Sequence, residues 1–211
     1  MIDDAPGSFR EGNAGYIRGC RYKRIISRER ANCMKEDIMN KVIENIETRR
    51  SCRKYKPELP PRETLEEIAR AGTFAASGKG RQSATIVVIT DRATRDQLSS
   101  MNAKILKTNG DPFYGAPCLM LVLAESSIPT YIADGSLVMG NLMLAAHSLG
   151  LGSCWINRAK EEFESPEGKE LLKKWGLPET LAGIGHCVLG WPADETPRVA
   201  PRKPDYIRWI E

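Results

Sequence analysis

The longest largely apolar segment of the chain covers residues 131–156. Apolar side chains recur around most of the helical circumference as far as Leu149, which predicts a central helix buried on nearly all sides. Gly150 suits a left-handed helix C-cap, and residues 153–156 have the composition of a short strand. Small side chains form one stripe of the helix, which favours a partner helix from this chain or from a second subunit. The stripe consists of Ala133, Ser136 and Gly140.

Helical and strand-like patterns alternate along the rest of the chain. The predicted helices cover residues 35–49, 62–72, 94–105 and 166–175. Thr94 and Gln97 resemble a capping box at the start of the third of these helices. The predicted strands, besides 153–156, cover residues 85–89, 117–124 and 181–191. This alternation predicts an α+β or α/β layered domain over residues 34–211, whose proline-rich C-terminal tail wraps over a neighbour.

Composition and charge separate this domain from the N-terminal segment. The chain has 211 residues, 41% hydrophobic and 27% charged, which is ordinary for a globular domain. Residues 1–33 carry seven basic and four acidic side chains, so this segment holds +3 of the net charge of +4. The segment lacks periodicity and is predicted to be disordered or loosely attached, with Met34 as the natural start. It has no clustered basic run with aromatic residues, so no nucleic-acid partner is expected.

Membrane insertion and metal binding find little support in the sequence. The apolar segment is interrupted by Asp134, Asn141 and His147, and no uninterrupted run reaches the roughly 20 residues that a spanning helix needs. The six cysteines form no Cys-x-x-Cys pair, so no metal site is predicted. No secretory signal is recognisable at the N-terminus, and free thiols are typical of a reducing compartment, so a cytoplasmic location is expected.

Two segments contain candidate binding chemistry. Residues 49–54 place Arg49, Arg50, Arg53 and Lys54 around the hydroxyl of Ser51. These side chains would bind a phosphate, or they would form a solvated charge run at a helix C-terminus; the spacing leaves both interpretations open.

The second segment, residues 76–83, is rich in glycine and leads into a strand. A dinucleotide fingerprint has the opposite order, from a strand through glycines into a helix. Gly78 and Gly80 would expose backbone donors to a flat ligand, and Gln82 offers a donor and an acceptor. An ordinary turn remains the alternative.

Three separated motifs together resemble the nitroreductase-like FMN-dependent oxidoreductases, over roughly residues 38–210. They are Arg-Arg-Ser-x-Arg at 49–53, the glycine-rich loop at 76–83, and the segment from Asp134 through Asn141 to Gly-Leu-Gly-Ser-Cys-Trp-Ile at 150–156. The resemblance implies an α+β layered fold with a mixed sheet flanked by helices. It also implies a homodimer with FMN sites at the subunit interface.

The resemblance also implies which residues contact the cofactor. The first motif would meet the phosphate and the flavin ring, through Arg49, Arg50, Ser51 and Arg53. The loop would meet the ring through Ser77, Gly80 and Gln82; many relatives have asparagine in place of Gly80, so only a backbone contact carries over there. The strand would lie beside the ring, presenting Cys154, Trp155 and Ile156. A basic residue near the C-terminus would complete the phosphate site, with Arg202 the first choice and Lys203 the second.

The implied activity is electron transfer from NADH or NADPH through FMN to a nitroaromatic, quinone or related small molecule, in a ping-pong cycle. Arg53 would stabilise the negative charge that develops at the N1 and C2 carbonyl side of the ring. His147 and His186 are interpreted as core or interface residues. The nature of the acceptor is expected to depend on residues 102–114.

Two alternatives remain open. A flavin-binding sensor or storage protein with little turnover would have a closed cleft without space for a nicotinamide. A relative specialised for dehalogenation or oxygen-dependent chemistry would usually carry a lid between the second strand and the central helix. Residues 125–130 are a short connection at that position, which counts against the second alternative.

Overall fold

The computed structural model describes residues 40–194 and 199–211. Its helices are α1 (Lys41–Thr48), α2 (Arg62–Thr73), α3 (Arg92–Leu106), α4 (Tyr131–Ser148), α5 (Ala159–Glu164) and α6 (Pro166–Lys174). Its strands are β1 (Ala84–Ile89), β2 (Cys118–Glu125), β3 (Gly152–Ile156) and β4 (Leu181–Gly190). The predicted N-terminal tail, residues 1–33, and the proposed start at Met34 lie outside the described residues.

The four strands form one sheet in the order β1-β2-β4-β3. Every neighbouring pair is antiparallel, so the mixed sheet that the family resemblance implied is wrong for these four strands. Within the described ranges, the parallel pairing is limited to an isolated bridge between Ser51 and Ser153. Strand direction depends on non-local pairing, which the period of the side chains does not specify.

The central strand β2 explains the continuous apolar run at residues 118–124, because both of its faces are covered. Leu119, Leu121 and Leu123 face a cluster that includes Phe163 of α5. The alternate residues Cys118, Met120 and Val122 face a second cluster formed with α2 and α4. Residues 118–124 are all buried. The sheet therefore lies between two layers of helices, as the α+β prediction requires.

Helix α4 packs on the sheet along one face only in the single chain. Val138, Met139 and Leu142 are buried, but Ile132 and Leu137 are 56% and 50% exposed. A Cβ atom built at Gly140 would meet no atom within 4 Å. The sequence predicted a helix buried on nearly all sides, and in the single chain this prediction is wrong for one face. The face with Leu137 and Gly140 has no partner among the described residues.

Several element boundaries differ from the predicted ones. Helix α3 begins earlier because Asp91 is its N-cap and accepts a hydrogen bond from Thr94 N at 2.8 Å, so the predicted capping box is wrong. Gly150 has φ +78, which confirms its left-handed position after α4. The six-residue helix α5 was not predicted, since it is too short to show a helical period. None of the helices in the described part of the chain has the length and apolar character needed to span a membrane.

Candidate active site

The segment after α1 is extended and fixed to the edge of the sheet. Cys52 N donates to Ser153 O at 2.9 Å, and Lys56 N donates to Trp191 O at 2.8 Å. The hydroxyl of Tyr55 donates to Cys52 O at 2.7 Å. The predicted phosphate-binding motif is therefore part of the folded framework and not a loose charge run.

A cleft of about 360 Å³ opens where this segment meets the end of α4 and the start of β3. A Cβ atom at Gly152 would lie 2.6 Å from Cys52 Cβ, so a glycine is needed for the segment to approach the strand. The cleft is lined by residues from the segment, from α4 and β3, and from the chain after β4. They are Arg50, Ser51, Cys52, Arg53, Lys54, His147, Gly150, Leu151, Gly152, Pro192 and Asp194.

Buried donors around this cleft have no hydrogen-bond partner among the described residues. They include Arg49 Nη1 and two nitrogens of Arg50, Nε and Nη2, together with Ser153 Oγ. The remaining Arg50 nitrogen, Nη1, donates to Arg49 O at 2.6 Å at the end of α1. Helix capping thus accounts for one guanidinium nitrogen of Arg50 but not for the others. Buried donors of this kind normally have partners, so the arrangement favours the phosphate interpretation over the solvated charge run.

Arg53 extends from the same segment and is exposed. Its Cζ atom lies 5.9 Å from the centroid of the Tyr114 ring, within range of a cation–π contact. Tyr114 has φ +55, an uncommon backbone conformation for a residue other than glycine. The contact between Arg53 and Tyr114 was not predicted, because it joins two segments that are distant in sequence.

The loop that carries Tyr114 is anchored by an ion pair between the buried Arg95 and the partly exposed Asp111. The guanidinium of Arg95, which is 3% exposed, donates to the carboxylate of Asp111 and to Ala116 O. Burial alone would raise the pKa of Asp111, but hydrogen bonds from Arg95, Ser99 and the backbone outweigh burial and lower this pKa to about 2. The ionised carboxylate therefore holds the loop in place at neutral pH.

The predicted residues of β3 differ in where their side chains lie. Cys154 and Ile156 are buried in the same apolar cluster as Phe163. Burial raises the pKa of the Cys154 thiol, although nearby Arg53 and Ser51 oppose this effect. Contacts from Cys154 and Ile156 to a ligand would therefore have to come from the backbone. Trp155 is half-buried on the opposite face, and its Nε1 has no partner among the described residues.

A second cleft, of about 330 Å³, contains the predicted loop residues Ser77 and Gln82 and shares no lining residue with the first. The loop has left-handed backbone at Lys79, Gly80 and Gln82, with φ of +55, +66 and +50. Left-handed conformations at two residues that are not glycine are characteristic of constrained functional loops. Gly80 is exposed, with open space around its Cβ position, which is compatible with the predicted backbone contact.

Asp134, in the first turn of α4, holds this loop. Its carboxylate accepts hydrogen bonds from Gly78 N at 2.9 Å, Ser83 Oγ at 2.7 Å and Thr130 Oγ1 at 3.1 Å. The bonds from Ser83 and Gly78 lower the pKa of Asp134, so the side chain is an anion at neutral pH. Asp134 was predicted only as part of the third motif, with no role of its own. A single carboxylate in a largely apolar helix was the sequence signal that could have indicated this anchoring role.

The two basic residues near the C-terminus and His186 lie apart from both clefts. Arg202 and Lys203 are exposed and line neither of them. His186 is fully buried and its Nε2 lies 2.8 Å from Glu162 Oε2, in agreement with its interpretation as a core residue. His147, in contrast, lines the first cleft beside Arg50.

Comparison with known proteins supports the resemblance seen in the sequence. The model of the family described as "Nitroreductase family" matches residues 46–191. The chain belongs to the nitroreductase family. Membership confirms the predicted resemblance, and the match includes the whole sheet, the second cleft and all residues of the first cleft except Pro192 and Asp194.

Two relatives and one solved structure illustrate the similarity within the nitroreductase family. A putative NADH dehydrogenase/NAD(P)H nitroreductase of Archaeoglobus fulgidus is 30% identical over 74% of this chain and 88% of that protein. An NADPH-flavin oxidoreductase of Vibrio harveyi is 30% identical over 80% of this chain and 72% of that protein. The crystal structure of a nitroreductase with bound FMN from Bacteroides fragilis superposes with a TM-score of 0.75. It is 27% identical and covers 82% of this chain and 100% of that one.

The role of Asp134 leads to a first prediction. In an Asp134→Ala variant, Gly78 N and the buried Ser83 hydroxyl lose their acceptor, so we expect the loop to open more often. Trypsin should then cleave after Lys79 and Arg81, both exposed, at least about tenfold faster than in the wild-type protein. The fragments can be assigned by mass spectrometry.

Asp91→Ala is the matched control, because it removes an N-cap carboxylate and costs about 1 kcal/mol without touching the loop. Equal cleavage of the Asp134→Ala variant and the control at Lys79 and Arg81 would contradict an anchoring role for Asp134.

Proposed function

We propose that this member of the nitroreductase family is an FMN-dependent NAD(P)H oxidoreductase. It passes electrons in a ping-pong cycle from NADH or NADPH to a nitroaromatic, a quinone or a related small molecule. The proposal rests mainly on the buried, unpartnered guanidinium nitrogens of Arg49 and Arg50 beside the first cleft. The similarity to an NADPH-flavin oxidoreductase and to a nitroreductase with bound FMN supports the same function.

The donors at the first cleft fit a phosphate monoester. Guanidinium groups bind phosphate oxygens through paired, charge-assisted hydrogen bonds, and at least three such nitrogens are available here. The hydroxyl of Ser51 also lines the cleft, and Ser153 Oγ is buried close by. These groups would hold the phosphate end of FMN.

Bound FMN would accept a hydride from the nicotinamide and pass the electrons to the second substrate. The protein supplies position and charge to this chemistry. The Arg53 guanidinium, which lies over the Tyr114 ring, would stabilise negative charge at the N1 and C2 carbonyl side of the flavin. No side-chain acid or base is assigned a role in either half of the cycle.

We further propose that the protein is a homodimer in which each FMN lies between two subunits. Asp134 and His147 mark the two clefts and are 13 residues apart on α4, which corresponds to about 20 Å along the helix axis. A single chain therefore presents its two sets of predicted ligands at separate places. A second copy would bring the loop at 76–83 next to the arginines of the first.

Exposed apolar surface supports a partner subunit. Helix α1 is amphipathic but has no buried residue, and Val42 and Ile46 are 66% and 50% exposed. On α4, Leu137 is 50% exposed, Ala133 is exposed, and Gly140 has open space at its Cβ position. In the tail at 199–211, Trp209 and Ile210 are 83% and 96% exposed. Surface of this kind is typical of a protein–protein interface, and a tail that wraps over the partner would bring Arg202 to the phosphate.

The location of the protein also stays a proposal. Cys52, Cys118, Cys154 and Cys187 are free thiols, which supports the expected reducing cytoplasm.

Arg50→Gln tests the cofactor site. Loss of the charge-assisted bonds should raise the dissociation constant for FMN about 10- to 100-fold, measured by quenching of flavin fluorescence. Arg62→Gln is the control, because Arg62 is an exposed arginine paired with Glu66 on α2. If the two variants bind FMN with the same affinity, Arg50 does not contribute to the site.

Arg53→Ala tests the proposed electrostatic role. At saturating FMN, the rate constant for anaerobic bleaching of the flavin by NADH should fall at least about tenfold, because the stabilising charge is lost. Lys54→Ala is the control, since Lys54 is a neighbouring cation of the same cleft that pairs with Asp194. Stopped-flow absorbance gives both rates, and an unchanged rate in Arg53→Ala would remove Arg53 from the mechanism.

Mixing two defective variants tests whether the site is shared. One carries Arg50→Gln, and the other carries Ser77→Ala with Gln82→Ala. After joint unfolding and refolding in equal amounts, half of the dimers are mixed and each has one intact site, so about a quarter of all sites should bind FMN. The FMN concentration is chosen to fill wild-type sites but neither variant. If the refolded mixture binds no more FMN than the two variants refolded separately, each site is built from a single chain.

A further inference from the structure

His147 occupies a defined position at the C-terminal end of α4. It lines the first cleft, and its Nε2 lies 2.9 Å from the hydroxyl oxygen of Thr48 on α1. That hydroxyl also lies 2.7 Å from Glu44 O, to which it donates. A threonine hydroxyl has one hydrogen, so it must accept from His147 Nε2–H. The neutral ring therefore carries its proton on Nε2 and leaves a lone pair on Nδ1.

Nδ1 of His147 has no protein partner among the described residues. Because Nε2 is occupied by Thr48, any additional proton must be taken up at Nδ1, which would change this atom from an acceptor into a charged donor. An anionic ligand in the cleft would gain most from that change, because it would receive both a hydrogen bond and a charge interaction.

The surroundings of His147 oppose its protonation when no anion is present. Burial lowers the pKa of the imidazole, and the charges of Arg49 and Arg50 lower it further. Asp194 lines the same cleft but is engaged with Lys54 Nζ at 2.6 Å. The other titratable or charged residues that line the cleft are Cys52 and Arg53.

We propose that His147 is a further ligand of the cofactor phosphate and takes up a proton at Nδ1 when a phosphate monoester binds in the first cleft. This inference rests on the proposed function. The two negative charges of the phosphate offset the arginines, so the imidazolium becomes stable only in the complex. His147 thus adds a further positive group to the site when the ligand binds.

The sign of the pH dependence follows from linkage. The pKa of His147 is below its ordinary value in the free protein and rises on binding, so binding takes up a proton between these two values. The contribution of His147 to the affinity for FMN is therefore largest at low pH. It is lost as the pH rises through the pKa that His147 has in the complex.

The test compares FMN binding to the wild-type protein and to His147→Gln from pH 6 to pH 8.5 at constant ionic strength. Glutamine can still donate to Thr48 but cannot be protonated. The phosphate of free FMN titrates in the same way in both experiments, so its effect cancels in the ratio of the two dissociation constants. We expect the variant to bind at least about tenfold more weakly at pH 6 and nearly as well as the wild-type protein at pH 8.5. A ratio that does not change with pH would overturn the inference.

Two further measurements isolate the phosphate and avoid dependence on the variant. Riboflavin, which lacks the phosphate, should give a ratio that is independent of pH; the same pH dependence as for FMN would overturn the inference.

Calorimetry of the wild-type protein in buffers of different ionisation enthalpy should show fractional proton uptake with FMN at pH 7.5, where the phosphate is already largely a dianion. Absence of uptake would contradict protonation of His147. Absence of FMN binding to the wild-type protein at any pH would instead overturn the proposed function itself.

Discussion

The buried guanidinium nitrogens of Arg49 and Arg50 impose the strongest constraint on this structure. A buried donor without a partner costs about 1–3 kcal/mol, and two adjacent cations repel each other in addition. The fold nevertheless holds Arg50 in place through its bond to Arg49 O and holds the next residues against β3. An anion in the cleft would satisfy the donors and offset the repulsion, which is why a phosphate-bearing cofactor accounts for the arrangement.

The rest of the fold positions this cluster and its counterpart. Strand β2 is buried on both faces and fixes β4, which in turn fixes β3 and the segment paired with it. Helix α4 then links the two clefts, because it holds the loop at 76–83 through Asp134 near its start and brings His147 to the arginines near its end. Its uncovered face lies between these two points. A second copy packed on that face would complete both sites at once.

Local patterns were sufficient to predict most helices and strands and the segments that carry the site. The apolar run of β2 and the left-handed Gly150 were readable because both depend on neighbours in sequence. Strand direction, the bond between Thr48 and His147, and the stacking of Arg53 on Tyr114 depend on long-range contacts, so the sequence pattern did not specify them. Arg202 was chosen by resemblance, and the single chain leaves it exposed.

The most direct test of the account is an anaerobic titration of the purified, FMN-loaded protein with NADH and with NADPH, followed by visible absorption. We expect a yellow protein whose flavin band bleaches with at least one nicotinamide and returns when a quinone or a nitroaromatic is added. A protein that stays colourless after incubation with FMN would contradict the assignment of the cleft. A yellow protein that neither nicotinamide bleaches would contradict the proposed oxidoreductase and leave a flavin-binding protein without turnover.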